Sequence, residues 1–352
     1  MYWLECTMPE MKPAARLLSI DAFRGFTMIC MIGEGFGITG PLAPQFQHVA
    51  WNMALPQDLH FWDLIQPFFM FIVGTVMPGS FSRRWAAGES WNRTFIQVLR
   101  RAAILILLGL FARSMQADRP VLDLINVLAQ IAFTYTIAFL LLKQPWKIQG
   151  LAALALLALH WAIYQFASAP GVVGPWVKDA NIGWYLDRLI LHKNWSGSYA
   201  TLNCLSSAAN TIFGMMAGEL LMSSLPLARK LRVLALTGIV GVGIGLALSP
   251  VIPLNKKIWT ASFALYSTGA TLLALLLFYW IFDVRAKHKW STLFVIVGAN
   301  SIFIYIFHEV LHRAMSHVAR GIAPMPWASL LVTAFEISVC YLLYRRKIFL
   351  KV

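Results

Sequence analysis

The chain has 352 residues, of which 59% are hydrophobic and only 12% are charged, and its mean hydropathy is +0.66. Soluble domains carry about a quarter of their residues as charges, so this composition excludes an ordinary soluble domain. The net charge of +14 would suggest nucleic-acid binding in a soluble protein. Here the Lys and Arg residues lie between apolar runs, as the positive-inside rule predicts. We therefore expect the lipid bilayer, and no nucleic acid, to be the partner of this charge.

Ten apolar runs follow one another along the chain, each close to the roughly 20 residues that cross a bilayer. They are continuous rather than alternating, which favours helices that satisfy their own backbone hydrogen bonds in lipid. No charge-rich stretch reaches the roughly 50 residues of a soluble domain. We predict an all-α integral membrane protein, a polytopic bundle of about ten transmembrane helices that forms a single domain over residues 1–352. The predicted spans lie near residues 17–37, 60–80, 97–113, 121–142, 149–168, 200–223, 231–249, 258–282, 291–311 and 327–344.

The positive charges also predict the orientation of the bundle. With the N-terminus in the cytoplasm, the cytoplasmic segments receive about twice as many Lys and Arg residues as the outer loops. The C-terminus is then also cytoplasmic, and the loop after the first span faces the periplasm or an equivalent compartment. In the seventh run, Gly238, Gly241, Gly243 and Gly245 recur at the spacing that lets helix backbones approach closely.

His48 and Asp63 are candidate catalytic residues. His48 lies in the first outer loop beside Trp51 and Asn52, between two spans that can return it to the protein interior. A lone histidine is usually structural, so the residue alone leaves a structural and a catalytic role open. Asp63 begins the second run, three residues after His60. There it could orient a catalytic imidazole or cap the start of a helix.

A second histidine motif lies in the ninth run. His308-Glu309-Val310-Leu311-His312 matches HExxH, in which two imidazoles one helical turn apart hold zinc and the glutamate activates water. In a span this pattern would indicate an intramembrane metalloprotease. Such an enzyme needs a third ligand, commonly an Asp in an LDG-like segment, and the sequence has no such segment. We therefore predict no metal, and expect His308 and Glu309 to line a polar cavity near the outer surface.

Arginines cluster between the second and third runs, on the predicted cytoplasmic side. The positive-inside rule alone accounts for such a cluster. A phosphate-rich cytosolic ligand such as coenzyme A would need the same side chains, so both explanations stay open. The cluster contains Arg83, Arg84, Arg93, Arg100 and Arg101.

Five blocks of sequence carry a family resemblance. They are RLLSIDAFRG (16–25), HVAWN (48–52), DLIQPFFMFIVG (63–74), PLNKKIWTASF (253–263) and NSIFIYIFHE (300–309). In this order they resemble the heparan-α-glucosaminide N-acetyltransferase family and its bacterial relatives, over nearly the whole chain.

The resemblance implies a multi-pass protein of the bacterial inner membrane. It would transfer an acetyl group from cytosolic acetyl-CoA, its co-substrate, to the amine of glucosamine or a related amino sugar on the outer side. The family's active-site histidine maps onto His48, either as a nucleophile that becomes acetylated or as a base in a ternary complex. The relatives also suggest a homodimer. We assign catalysis to His48 and Asp63, sugar binding to Trp51, Asn52, Asn300, His308 and Glu309, and acetyl-CoA binding to Arg83, Arg84, Arg100 and Arg101.

Two departures from the family pattern concern the site. The family often has Asn near the end of the first span as a donor to the developing oxyanion, where this chain has Glu34 or Gly35. The segment between His48 and Asp63 is also longer than the family's usual link, so the identity of the acceptor does not transfer. The alternative function is a membrane transporter for N-acetylglucosamine or a similar sugar. It would use the same cavity without acetyl-CoA.

Overall fold

The computed structural model describes residues 17–49, 59–117, 119–122, 124–191 and 199–350, and only the backbone of Glu34. Over these ranges the chain forms twelve α-helices, three 3-10 helices and one π-helical turn, with no strand. The predicted all-α class is therefore confirmed.

The helices follow the apolar runs with two differences: the loop between α5 and α7 contains an extra short helix, α6, and the ninth run is divided into α10 and α11. The 3-10 helices are Glu34–Gly37, Ala43–Phe46 and Phe61–Leu64, and the π-helical turn Trp280–Val284 continues α9. The α-helices are α1 Leu18–Gly33, α2 Ile65–Ala86, α3 Trp91–Ala117, α4 Val127–Leu141, α5 Trp146–Phe166, α6 Ile182–Leu191, α7 Asn203–Met222, α8 Leu227–Leu248, α9 Ala261–Tyr279, α10 His288–Ala299, α11 Ser301–Ile322 and α12 Trp327–Arg345.

Six of the described helices are long and apolar enough to cross a membrane: α2, α3, α5, α8, α9 and α12. A seventh crossing is obtained if α10 and α11, which meet at a 65° bend, are taken as one broken span. The predicted count of about ten is thus not confirmed. α1 and α4 have only 16 and 15 residues, and α7 is long enough but carries many polar side chains. A criterion of length and mean hydropathy does not identify such helices as spans.

The helices differ in how much of their surface meets the rest of the protein. Of the apolar window, 72% is buried in α2 and 56% in α9, against 17% in α8. The outward faces of α3, α5, α8 and α12 carry exposed large apolar side chains, including Leu107, Leu151, Ile239 and Phe335. Soluble proteins rarely expose apolar patches of this extent. A ring of apolar helices around a more polar interior is the arrangement that a bilayer favours.

Glycine allows the central helices to pack closely. A Cβ atom on Gly214 of α7 would lie 2.0 Å from the backbone oxygen of Phe71 in α2, so only glycine fits there. Gly238, Gly241 and Gly245 of α8 likewise approach α9, where a Cβ on Gly241 would lie 3.0 Å from the Cα of Gly269. The close packing predicted from the α8 spacing is confirmed for these three glycines, whereas a Cβ on Gly243 would have nothing within 4 Å.

Two polar contacts fix the ends of helices. Asp283, in the π-helical turn, accepts hydrogen bonds from the backbone N–H groups of Leu18 (3.0 Å) and Ser19 (3.1 Å), and so caps the start of α1. Asn300, at the bend between α10 and α11, donates to the carbonyl of Ile348 and accepts from the N–H of Leu350, both at 3.0 Å. Asn300 therefore holds the C-terminal segment against the bend.

Candidate active site

A cavity of about 520 Å³ lies where several helices begin or end. Its volume is within the range of small-molecule sites. The walls come from the start of α2, the end of α3, the start of α4, the middle of α11 and the loops that precede α2, α7 and α9. Its polar lining consists of Gln47, His48, Gln66, Arg113, Gln116, Asn126, Tyr199, Lys256, Tyr305, His308 and Glu309.

His48 and Asp63, predicted from sequence to act together, are in contact. His48 Nδ1 lies 3.0 Å from Asp63 Oδ1. The carboxylate can only accept, so Nδ1 donates its proton and Nε2 becomes the basic nitrogen. Asp63 is 2% exposed, whereas the imidazole remains 43% exposed at the cavity. This is the geometry of a histidine held in one tautomer by a buried carboxylate.

Asp63 makes both kinds of contact that its position suggested, one to an imidazole and one at the start of a helix. Besides His48, its carboxylate accepts hydrogen bonds from the backbone N–H groups of Val49 and His60, each at 3.3 Å to Oδ2. The bond from His60 caps the 3-10 helix Phe61–Leu64. One side chain thus joins the histidine loop to the start of α2.

Lys256 was not predicted as a site residue, yet it is the third member of this group. Its Nζ lies 3.2 Å from His48 Nδ1, 3.5 Å from Nε2 and 3.9 Å from Asp63 Oδ1, and its side chain is 6% exposed. Burial lowers the pKa of Lys256 to about 7, although Asp63 raises it. Burial also lowers the pKa of His48, as does the charge of Lys256, against the hydrogen bond to Asp63. His48 is therefore largely neutral at pH 7.

The loop before α9 positions Lys256. Asn255 Oδ1 accepts hydrogen bonds from the N–H groups of Lys257 (2.8 Å) and Ile258 (3.3 Å). Thr260 donates to the carbonyl of Pro253 (2.7 Å) and caps α9. The signal in the sequence was an Asn-Lys-Lys run directly before an apolar span, inside a block already recognised.

The opposite wall carries the HExxH motif. His308 Nδ1 lies 2.9 Å from Oε1 of the fully buried Glu336 of α12, and Glu309 is hydrogen-bonded to Gln116. Arg113 donates to Gln116 Oε1 at 3.1 Å. His308 and Glu309 line the cavity as expected. Within the described ranges, no three His, Cys, Asp or Glu side chains form a group that could hold a metal ion.

The other predicted site residues lie elsewhere. Asn300 is absent from the described lining of the cavity, and its amide instead binds the C-terminal segment. Trp51 and Asn52 lie outside the described residues, as does the side chain of Glu34, and Gly35 has no side chain to act as an oxyanion donor. The four arginines do not line the cavity in the part of the chain described. Arg83 and Arg84 lie in the last turn of α2, whereas Arg100 and Arg101 lie inside α3, between its first residue and the cavity-lining Arg113.

Comparison with known proteins gives a consistent result. A family model for the catalytic region of heparan-alpha-glucosaminide N-acetyltransferase matches residues 16–238. The enzymes of that name from Mus musculus and Homo sapiens are each 25% identical to this chain, over 96% of its length. The chain spans about three fifths of the length of these relatives, 61% and 60%. The family match covers more than half of the chain, which therefore belongs to the heparan-α-glucosaminide N-acetyltransferase catalytic-domain family.

Proposed function

We propose that this protein is a transmembrane acetyltransferase that moves an acetyl group from cytosolic acetyl-CoA to the amine of glucosamine or a related amino sugar on the outer side. The observation that carries the proposal is the His48–Asp63 pair, which faces a polar cavity in a chain of this family. The transporter alternative gains no support from the comparisons, because both relatives are named as acetyltransferases.

The chemistry follows from the orientation of His48. An amino sugar arrives largely as an ammonium, and the amine must lose a proton before or while it attacks the thioester carbonyl. With Nδ1–H donated to Asp63, Nε2 is free to take that proton. If His48 is instead the nucleophile, the same nitrogen attacks the thioester and carries the acetyl group to the amine. In both cases Asp63 holds the ring and stabilises its positive charge.

The lining of the cavity supports a sugar as the acceptor. Hydroxyl groups need partners that both donate and accept hydrogen bonds, and Gln66, Gln116 and Asn126 provide amides for this. Phe46 and Trp62 are apolar members of the lining, and they provide ring faces for the C–H face of a sugar ring. We place His308 and Glu309, together with Trp51 and Asn52, in acceptor binding. For Asn300, the observed contacts favour a structural role.

We propose that acetyl-CoA binds to arginines that lie away from the cavity, towards the other end of the bundle. α2 has 22 residues and is therefore about 33 Å long, so Arg83 and Arg84 lie a membrane's thickness from Asp63. Arg101 lies over the ring of Tyr135, with 4.7 Å between the guanidinium carbon and the ring centroid. We propose that these arginines, with Arg100, bind the phosphates while the acetyl end reaches the cavity.

We also propose a topology of ten crossings for residues 1–352 as one domain of the inner membrane, with both termini in the cytoplasm. The six long helices and the broken α10–α11 pair are joined by α1, α4 and α7. These three helices lie inside the bundle, where neighbouring helices rather than lipid surround them. A helix shielded in this way can carry polar side chains such as Asn210, which donates to Ser267 and Thr268 of α9.

The test is CoA release from acetyl-CoA by the purified, detergent-solubilised protein, with and without glucosamine. We expect glucosamine-dependent release in the wild type, and its loss in His48→Ala. The matched control is His288→Ala, at an exposed histidine at the start of α10, which should behave as wild type. If the wild type neither binds nor turns over acetyl-CoA with any amino sugar, the proposal is wrong.

A further inference from the structure

We infer that Lys256 is a catalytic residue whose ammonium group stabilises the oxyanion formed when the thioester carbonyl is attacked beside His48. This inference rests on the proposed function, since it names the donor for a step of that reaction. The comparisons match this chain to a family but assign no role to any of its residues. The geometry of the cavity supplies the argument.

Lys256 lies next to the nitrogen that reacts. Whether His48 acts as base or nucleophile, the carbonyl carbon is brought next to Nε2, because Nδ1 is bound to Asp63. Lys256 Nζ lies 3.5 Å from Nε2. A carbonyl group at Nε2 therefore places its oxygen within hydrogen-bonding reach of the Lys256 ammonium.

Lys256 is also fixed in place before substrate arrives. Its side chain is buried, and the loop that carries it is held by the Asn255 and Thr260 hydrogen bonds. The carbonyl of the next residue, Lys257, accepts a further bond from Asn203 at 2.8 Å. A donor that needs no reorganisation during the reaction is the kind that stabilises developing charge most strongly.

The charged groups around Lys256 determine its protonation. Asp63 favours its ammonium form, whereas Lys257 on the same loop opposes it. Lys257 itself lies over the ring of Tyr199, with its Nζ 4.7 Å from the centroid. His48 contacts Lys256 directly, and the other titratable groups of the lining are Arg113, Tyr305, His308 and Glu309. Among the described residues, Asp63 is therefore the anion next to Lys256, and it opposes the effect of burial, which lowers the pKa of Lys256 to about 7.

With His48 as the base, the bonds and protons of the reaction are accounted for as follows. The amine nitrogen forms a bond to the carbonyl carbon, and the carbonyl electron pair moves to the oxygen, which Lys256 stabilises. His48 Nε2 takes the ammonium proton. When the oxyanion collapses, the C–S bond breaks, the thiolate leaves with its electron pair, and the imidazolium gives its proton to the thiolate. The nitrogen then carries one proton more than an amide, and it loses that proton to the regenerated Nε2, which releases it to solvent. Lys256 keeps its own proton throughout.

The experiment measures kcat/KM for acetyl-CoA against pH at saturating glucosamine, for the wild type, Lys256→Gln and Lys256→Arg. Activity needs a neutral His48 and a charged Lys256. In the wild type it should rise through the lowered pKa of His48 and fall through that of Lys256, at about 7. Deprotonation of the acceptor amine raises the rate, so it cannot produce the falling limb. Arginine does not lose its proton in this range, so Lys256→Arg should remove that limb.

Lys256→Gln removes the charge, and we expect kcat to fall by ~10²–10³-fold, with KM for acetyl-CoA changed by less than about threefold. The matched control is Lys257→Gln. It should retain the falling limb, displaced to higher pH, because the loss of a like charge raises the pKa of Lys256. If Lys256→Gln does not fold, the Lys256→Arg profile alone carries the test.

The two proposals fail in different ways. A wild type without acetyl transfer would remove the proposed function and this inference with it. An active wild type overturns only the inference if the falling limb persists in Lys256→Arg. A Lys256→Gln variant that folds and keeps kcat within about fivefold of wild type would do the same.

Discussion

Replacing Asp63 with asparagine tests the dyad without removing volume. The Asp63 carboxylate accepts from His48 through Oδ1, and from Val49 and His60 through Oδ2. An amide has one oxygen and one NH₂ group, so it cannot accept from both sides. If its oxygen stays with the two backbone N–H groups, its NH₂ group points at His48 Nδ1. The ring must then carry its proton on Nε2, where it can neither accept a proton nor attack.

The size of the effect follows from this exchange of tautomer. A positioned general base contributes ~10²–10⁴-fold to rate, which corresponds to about 3–5 kcal/mol of activation free energy. We expect Asp63→Asn to lower kcat by that factor while KM changes little. Lys256 also loses its anionic partner at 3.9 Å, so a decrease in thermal stability accompanies the kinetic loss.

The assay is initial CoA release at saturating acetyl-CoA and glucosamine, with melting temperature measured in the same detergent. The matched control is Asp283→Asn. Asp283 also accepts from two backbone N–H groups, those of Leu18 and Ser19, but it caps α1 rather than lining the cavity. That variant should lose stability and keep kcat. If both variants lower kcat equally, or if Asp63→Asn keeps kcat within about threefold of wild type, the tautomer argument is refuted.

Three further predictions concern packing, donor binding and the bend. Gly214→Ala should lower the stability by ~1–3 kcal/mol or more, since its Cβ would lie 2.0 Å from a carbonyl of α2. Gly243→Ala, with nothing within 4 Å, should leave the melting temperature unchanged or raised. Arg101→Gln should raise KM for acetyl-CoA about tenfold through lost phosphate contacts, and Arg188→Gln, on α6, should not. Asn300→Ala should lower the melting temperature and leave KM for glucosamine within about twofold of wild type, because its amide binds backbone groups and not the cavity.

The sequence was most informative where one residue type has few alternatives in lipid. An aspartate at the start of an apolar run needs a partner, and the family resemblance assigned catalysis to His48, so both residues could be named before the structure was known. The sequence alone did not choose between His48 and His60, which is nearer to Asp63 along the chain. Continuous apolar runs identified the helices for the same reason. Gly238, Gly241 and Gly245 of α8 marked a close helix contact because a larger side chain would crowd α9 there.

What the sequence could not provide is the partner of each polar group across the fold. Lys256 lies 208 positions from His48, and Glu336 meets His308 from another helix. Lysines at the ends of spans commonly extend to the membrane interface, so Lys256 resembled an ordinary flanking lysine. Asn300 differs from Lys256: it was predicted as a sugar-binding residue because it begins a family block, but the described contacts of its amide are with the backbone of the C-terminal segment.

The two ends of the bundle provide an argument for the proposed crossings that does not depend on charge. At one end, the cavity unites the start of α2, the end of α3, the start of α4 and the loops before α7 and α9. At the other end, Lys143, which follows α4, lies over Trp85 of α2, with its Nζ 4.4 Å from the ring centroid. At the same end, Gln149 of α5 donates a hydrogen bond to Glu219 of α7 at 2.9 Å. These groupings require α4, α7 and α8 each to run from one end to the other. α4 and α7 therefore cross the bundle, although one is too short and the other too polar to meet a hydropathy criterion. They can be short or polar because other helices, rather than lipid, surround them.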